Sequence, residues 1–286
     1  MQQIEIKSLK NVGLDTLYLA FKEAFKDYEM QLTKSELNTM LHRRGFIPDL
    51  SFGAFEKDKL VSFTFNGVGF YNNLKTAYDI GTGTIENYRG KGLATRIFNY
   101  SLPYLKKANI KIYLLEVLQR NTKAISIYQN LGFKIKRAFN YFVQENEKIK
   151  LSDKQLKQNY FIKTIDLPDY EIMSNILDFV PSWQNSFESI TRKLEDFIIL
   201  GAFNDQELVG YCILESKTGD ITQIAVNKSD RRNGLGSLLF TEALLHNQHH
   251  SIKIINTPVD CHSITKFLEA QNIGISGKQY EMIMEI

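Results

Sequence analysis

Hydrophobic and polar positions along this chain alternate between two periodicities. Residues 2–8 alternate as a short strand does, and Leu14, Leu17, Phe21, Ala24, Phe25 and Tyr28 then recur at three- and four-residue steps, predicting an amphipathic helix over 14–28. A second helix is expected over 35–44, with Thr33 or Ser35 near its N-cap and Gly45 as its stop. Residues 51–55 and 60–66 flank the polar turn Glu56-Lys57-Asp58-Lys59 and read as a hairpin, followed by a strand ending near Thr84. Leu93, Ile97, Tyr100, Leu102 and Leu105 mark a helix ending near Ala108, and 110–118 is a nearly continuous apolar strand of the buried kind. Asn121 then caps a helix whose inner stripe is Ala124, Ile127, Tyr128 and Leu131, Gly132 ends it, and 133–142 returns as a strand.

The polar stretch 144–158 has few apolar anchors and reads as a linker or a solvated connecting helix. Beyond it the pattern repeats. Gly53-Ala54-Phe55 followed by Leu60-Val61-Ser62-Phe63 returns as Gly201-Ala202-Phe203 followed by Leu208-Val209-Gly210-Tyr211. Arg89-Gly90-Lys91-Gly92-Leu93-Ala94 returns as Arg231-Arg232-Asn233-Gly234-Leu235-Gly236, each time opening a helix. Two matched motifs in one order predict two copies of one α/β domain, each of about 140 residues. The expected division is a first domain at 1–145, a connection at 146–158 and a second domain at 159–286.

Strand, glycine loop, helix is an order suited to phosphate, because the first N–H groups of a helix lack internal partners and carry the positive end of its dipole. Glycine lets an anion approach the backbone, although many strand-to-helix turns use glycine only for its positive φ. Composition narrows the rest. The 286 residues are 43% hydrophobic, enough for packed cores, and no apolar run approaches the roughly 18 residues that span a bilayer. The start MQQIEIKSLK lacks the apolar centre of a signal peptide, so a cytoplasmic location is expected, with no membrane partner. A net charge of +3 gives little reason to expect nucleic acid. Only Cys212 and Cys261 are present, far apart, which argues against a disulfide framework and a cysteine zinc site. His246, His249 and His250 lack partners at metal-ligand spacing, and no metal is expected.

With these residues the chain resembles the GNAT superfamily of acyl-CoA-dependent N-acyltransferases, whose signature loop is Arg/Gln-x-x-Gly-x-Gly/Ala between the fourth strand and the third helix. Both glycine loops match it. The first half adds Leu115-Glu116-Val117, Asn121, Ala124, Tyr128 and Gly132-Phe133, similar to the family's second motif. The resemblance covers residues 3–142 well and 160–286 more loosely. It implies two tandem domains, each a mixed, mostly antiparallel sheet flanked by helices, with the fourth and fifth strands splayed to admit a pantetheine arm. Many members carry proline three residues before the loop's arginine; here Glu86 and Lys228 stand there.

What the resemblance implies for chemistry is transfer of an acetyl group from acetyl-CoA to a primary amine, directly and in a ternary complex, with no metal. The pyrophosphate would rest on Arg89, Gly90, Lys91, Gly92, Leu93, Ala94 and Thr95, and the arm along Thr84, Ile85 and Asn121. Asn121 is also explained as a helix cap alone. In the second half, Val226, Arg231, Arg232, Asn233, Gly234, Leu235, Gly236 and Ser237 keep the cofactor motif. Acyl transfer needs a base for the amine and an acid for the departing thiolate. Tyr128 matches the family's acid, although a tyrosine on an inner helical stripe is also ordinary core. Asp79 is the preferred base, against a strand-end carboxylate bound to backbone, and Glu116 is a second candidate, against an ion pair. In the second half Phe267 is expected at the position of Tyr128, and phenylalanine cannot donate a proton, so that half is expected to have lost chemistry. Trp183 is either an acceptor-pocket wall or a core anchor. The acceptor, a small-molecule amine or a protein amine, and any homo-oligomer stay open at this point. So do two rivals: a pair of domains that bind coenzyme A or a partner without turnover, and catalysis in the second half.

Overall fold

The computed structural model describes residues 4–28, 31–151 and 160–286. Of the expected connection at 146–158, residues 152–158 lie outside the described residues, as do residues 2 and 3 of the first expected strand. The chain forms two compact units. Unit 1 comprises Met1–Lys136 and Tyr280–Ile286, and unit 2 comprises Arg137–Gln279. The units therefore do not follow chain order throughout: the strand that closes the first half of the sequence is built mainly into unit 2, and the last residues of the chain complete unit 1.

In unit 1, strands β1 (Ile4–Ser8), β2 (Phe52–Glu56), β3 (Lys59–Tyr71), β4 (Leu74–Thr84) and β5 (Ile112–Leu118) neighbour one another in that order. All neighbours are antiparallel except β4 and β5, which run parallel. Helices α1 (Leu14–Ala24), α2 (Lys34–Arg43), α3 (Leu93–Lys107) and α4 (Thr122–Asn130) cover the sheet. The β3–β4 hairpin turns on Asn72 and Asn73, both at positive φ (48° and 61°), the pair of left-handed residues that a tight two-residue turn requires. Helix α1 stops at Ala24, four residues short of the periodic pattern, and the Gln31 side-chain amide ties the following turn by donating to the carbonyls of Phe25 and Tyr28 at 2.9 and 2.7 Å. Helix α2 opens on a reciprocal cap: the Thr33 hydroxyl accepts from Glu36 N–H, and Glu36 Oε2 accepts from Thr33 N–H at 2.7 Å. Thr33→Ala is expected to lower the unfolding free energy by about 1 kcal/mol, read from urea unfolding; no change would mean that water replaces the cap fully.

The core of unit 1 lies on both faces of the sheet. On one face Phe98 packs between Tyr113 and Phe133, with ring centroids at 5.4 and 5.6 Å, and Met282 from the chain end joins the same cluster. Phe63 and Phe65, two residues apart on β3 and therefore on one face, stack at 4.2 Å, and Phe63 meets Phe21 and Phe25 at 6.3 and 6.2 Å. This explains why the α1 stripe is aromatic.

In unit 2, strand β6 (Lys134–Glu145) enters from unit 1, and its residues from Phe139 onward pair antiparallel with β11 (Ser251–Pro258). Strands β7 (Tyr160–Thr164), β8 (Phe197–Asn204), β9 (Glu207–Glu215) and β10 (Asp220–Val226) follow as successive antiparallel neighbours, and β10 meets β11 in parallel. Helices α5 (Tyr170–Ile176), α6 (Phe187–Thr191), α7 (Leu235–His246) and α8 (His262–Ala270) flank the strands, and β12 (Ile275–Glu285) begins in this unit and ends in the other. The β8–β9 turn carries Asp205 at φ 51°, as the β2–β3 turn carries Lys57 at φ 52°, so the repeat seen in sequence extends to turn conformation. Trp183 is 3% exposed with the Arg192 guanidinium 5.7 Å from its ring, which makes it a core anchor.

Candidate active site

The site of unit 1 is where β4 and β5 part. Their parallel pairing covers Thr76, Ala77 and Tyr78 against Ile112, Tyr113 and Leu114, after which β4 continues to Thr84 and β5 to Leu118 without further partners between them. The backbone edge of β4 beyond Tyr78 is thus left facing a wedge. At the mouth of the wedge β4 also bulges: Phe65 opposes Gly81 and Asn66 opposes Asp79, so Ile80 has no partner on β3. Residues three apart on a regular strand point to opposite faces, but the extra residue brings Asp79 and Thr82 onto one face.

Asp79 is there joined by Tyr128 of α4. The Tyr128 hydroxyl donates to Asp79 Oδ2 at 3.1 Å, and the Thr82 hydroxyl donates to the same oxygen at 2.8 Å while lying 3.0 Å from Thr64 Oγ1. The other carboxylate oxygen, Oδ1, is shut off from solvent and has no hydrogen-bond partner among the described residues. Burial pushes the Asp79 carboxyl up to about 6, against the opposing pull of hydrogen bonds from Thr82, Tyr128 and the Gly81 N–H. Burial and the neighbouring Asp79 charge push the Tyr128 hydroxyl well above the ordinary tyrosine range, so the phenol keeps its proton at neutral pH. A carboxylate that titrates near 6 and a phenol bonded to it form an acid–base couple.

Glu116 is placed elsewhere. Its Oε2 accepts from the buried Tyr78 hydroxyl at 3.1 Å, and alternation along β4 sets Tyr78 on the face opposite Asp79. Asn121 caps α4, its Oδ1 accepting from Ala124 N–H at 3.2 Å. Thr64 and the side chain of Thr82 are the members of this group that sequence reasoning passed over, because strand periodicity alone separates Thr82 from Asp79.

Below the wedge, the loop from Arg89 to Gly92 is exposed, and Gly90 and Gly92 adopt φ of 76° and 70°, which any side chain would strain. The first intrahelical bond of α3 runs from Arg96 N–H to Gly92 O, so the amides of Leu93, Ala94 and Thr95 precede the helical ladder. The Arg89 side chain is engaged structurally: Nε donates to Thr84 O at 3.1 Å and Nη2 to Ala24 O at 2.9 Å. Lys91 Nζ sits 4.8 Å from the Tyr88 ring. The Thr84 hydroxyl meets Ser62 Oγ at 2.7 Å, whereas the Ile85 N–H is committed to Val61 O at 3.0 Å. These amides and their helix end fit a pyrophosphate, and the open edge of β4 fits an amide-bearing arm.

Unit 2 repeats the scaffold with different side chains at these positions. Strands β10 and β11 pair only at Asp220 and Lys253, and β10 bulges at Thr222 between Ile221 and Gln223. Counting from the bulge, Ile221 stands where Asp79 stands. Helices α4 and α8 are both nine residues long and end in the same bond, Phe133 N–H to Tyr128 O and Ile273 N–H to Leu268 O. The counterpart of Tyr128 is therefore Leu268, and the expected Phe267 is one residue out of register; it packs against Phe240 instead. Asn272 at φ 62° takes the place of Gly132 at φ 98°, so the turn is kept in conformation and changed only in side chains. In the loop, Arg232 holds the left-handed conformation of Gly90, Gly234 matches Gly92, and Arg231 Nε donates to Val226 O at 2.8 Å as Arg89 does to Thr84 O. Asn233 is held by Tyr160, and Leu238 N–H makes the first α7 bond to Gly234 O, leaving Leu235, Gly236 and Ser237 at the helix start.

Among the described residues no three of His, Cys, Asp and Glu gather as a metal site, and no helix is long and apolar enough to cross a membrane.

The model of the acetyltransferase (GNAT) family matches residues 14–133 and again 161–262. Among curated proteins, N-alpha-acetyltransferase 30 of Saccharomyces cerevisiae is 28% identical over 83 residues, 28% of this chain and 47% of that protein. The protein of the same name from Schizosaccharomyces pombe is 28% identical over 98 residues, 34% of this chain and 65% of that protein. The chain thus spans about half to two thirds of the length of the curated relatives it matches. Among solved structures, a tandem GNAT protein from the clavulanic acid biosynthesis pathway is 13% identical, covers 99% of this chain and 98% of its own, and has a TM-score of 0.73.

Proposed function

Because the chain belongs to the acetyltransferase (GNAT) family and carries that family's domain twice, we propose that unit 1 of this acyltransferase moves an acetyl group from acetyl-CoA to a primary amine, using Asp79 and Tyr128. The observation that carries the proposal is the 3.1 Å bond between the Tyr128 hydroxyl and Asp79 Oδ2 at the point where β4 and β5 part. The amides from Gly90 to Thr95 would hold the pyrophosphate, with the arm along Thr84 and Asn121. Bound acetyl-CoA supplies a thioester carbonyl carbon and a leaving thiolate.

Asp79, ionised above about pH 6, takes the proton of the attacking amine on its unpartnered Oδ1. Tyr128 gives its proton to the departing sulfur and recovers one from Asp79 through their shared bond. One proton thus passes from nitrogen to sulfur, and the pair returns to its starting state. Transfer is direct, since neither the loop nor the Asp79 group contains a cysteine. The names of the matched N-alpha-acetyltransferases make a peptide α-amine the first acceptor to try, ahead of small-molecule amines. Ile221 and Leu268 favour unit 2 as the copy without turnover, which speaks against catalysis in the second half.

Release of free thiol from acetyl-CoA with peptide amines, polyamines and aminosugars tests the reading, and silence across the panel would sink it. Gly92→Glu sets a carboxylate at the helix start and strains a left-handed residue; it is expected to weaken acetyl-CoA binding more than a hundredfold by calorimetry. Unchanged affinity would move the cofactor away from this loop.

A further inference from the structure

Strand β1 stands last in the sheet order of unit 1, so one of its edges meets no other strand among the described residues. Leu9, the residue after β1, donates its N–H to Ser51 O at 2.9 Å, continuing the register that sets Ile4 against Glu56 and Ser8 against Phe52. Antiparallel alternation then gives the backbone groups of Glu5 and Lys7 to β2 and turns the N–H and C=O of Ile4, Ile6 and Ser8 toward the open edge. That edge lacks the usual guards against pairing: β1 runs along β2 without a bulge and contains no proline. Its lysine, a further guard, is answered by a glutamate two residues away.

The side chains of β1 divide by face. Ile4 and Ile6 pack against the cluster of Phe52, Leu93 and Ile97 beneath α3, where the exposed Tyr100 and Tyr104 close on Phe52 with ring centroids at 5.7 and 5.1 Å. Glu5 and Lys7 alternate onto the opposite face, both exposed and joined by a 3.4 Å ion pair. Turned about a two-fold axis through Ile6, this strand is complementary to itself. Ile6 meets Ile6 of a second copy, Ile4 meets Ser8, each outward N–H faces a C=O, and Glu5 stands opposite Lys7 twice. Opposed residues of this kind have Cβ atoms about 4.5–5.5 Å apart, so two glutamates and two lysines form a square in which every neighbour has the opposite sign. Centring the axis on Glu5 or on Lys7 sets like charges face to face, so charge selects the register at Ile6. The same axis keeps both α3 helices on one side, with the tyrosine pairs of the two copies flanking the joined strands. We propose that this chain forms a two-fold dimer through β1, its partner a second copy of itself, so that the sheet of unit 1 continues from one copy into the other.

Sedimentation velocity on the full chain tests this. A species of twice the chain mass is expected, dissociating on dilution. Glu5→Lys and Lys7→Glu each change one exposed side chain and each set like charges opposite one another twice, so either alone is expected to weaken the dimer at least about tenfold at low salt. Mixing the two variants restores opposite charges at both positions, and a mixed dimer should form with close to the original affinity. Ile6→Pro removes the central outward N–H without taking a bond from β2 and is expected to abolish the dimer in a chain that still folds; should that variant unfold, the charge variants decide alone. A monomer at every concentration, a dimer indifferent to both charge variants, a folded Ile6→Pro chain that still dimerises, or single variants that mixing fails to rescue overturns the proposal.

Discussion

Replacing Asp79 by asparagine is expected to lower kcat by two to four orders of magnitude, the usual contribution of a positioned proton acceptor, and at the same time to flatten the pH dependence of stability. The two effects share one cause. Burial raises the Asp79 carboxyl from an ordinary 3.8 to about 6. Between those values the folded chain holds a proton that the unfolded chain has released, so stability is highest below the unfolded value and falls as pH rises through the folded one. The loss by pH 8 is on the order of 3 kcal/mol. Asp79→Asn carries no such titration, so its unfolding free energy between pH 4 and 8 should lack this decline. In the unmodified chain kcat should rise through pH 6 as the carboxylate forms. An acidic limb of unchanged position in the variant would remove Asp79 from the proposed mechanism.

Tyr128→Phe is the second large effect. Loss of the hydroxyl removes the acid and is expected to reduce kcat by about a hundredfold, with the calorimetric affinity for acetyl-CoA nearly unchanged. It also removes a hydrogen bond that favours the ionised form of Asp79, so the acidic limb of the residual activity should shift to higher pH. A core tyrosine with no chemical role would shift that limb in the same way but without the hundredfold loss of kcat. Full kcat in Tyr128→Phe would leave water as the proton source for the leaving thiolate.

The strands and helices of unit 1 were largely legible because each buries one face, and burial writes a period of two or of 3.6 into the chain. The glycine loop was legible for another reason: Gly92 sits at φ 70°, a conformation that few other residues tolerate, so the position is written in the residue type. Element ends were less so. Helix α1 continues on paper to Tyr28, but it stops at Ala24, where Gln31, outside the periodic pattern, takes up the freed carbonyls. The match of Tyr128 to Leu268 rather than Phe267 likewise needed the helix-end hydrogen bonds, since apolar residues at adjacent positions give two plausible registers.

From the sequence by itself came two copies of one α/β domain, a loop suited to anions in each, and Asp79 and Tyr128 as separate candidates; these rest on local periodicity, local conformation and repetition, all carried by neighbouring residues. Tertiary structure alone decided which candidates meet. The bulge at Ile80 turns Thr82 onto the face of Asp79, the register of β4 on β5 sends Glu116 to Tyr78, and the packing of α4 brings the Tyr128 hydroxyl to Asp79. The same holds for the last strands, where β6 is built mainly into unit 2 and the residues from Tyr280 complete unit 1. Pairings between positions 49 residues apart, as for Asp79 and Tyr128, are fixed by strand register and packing across the core, and neither leaves a periodic trace in the chain.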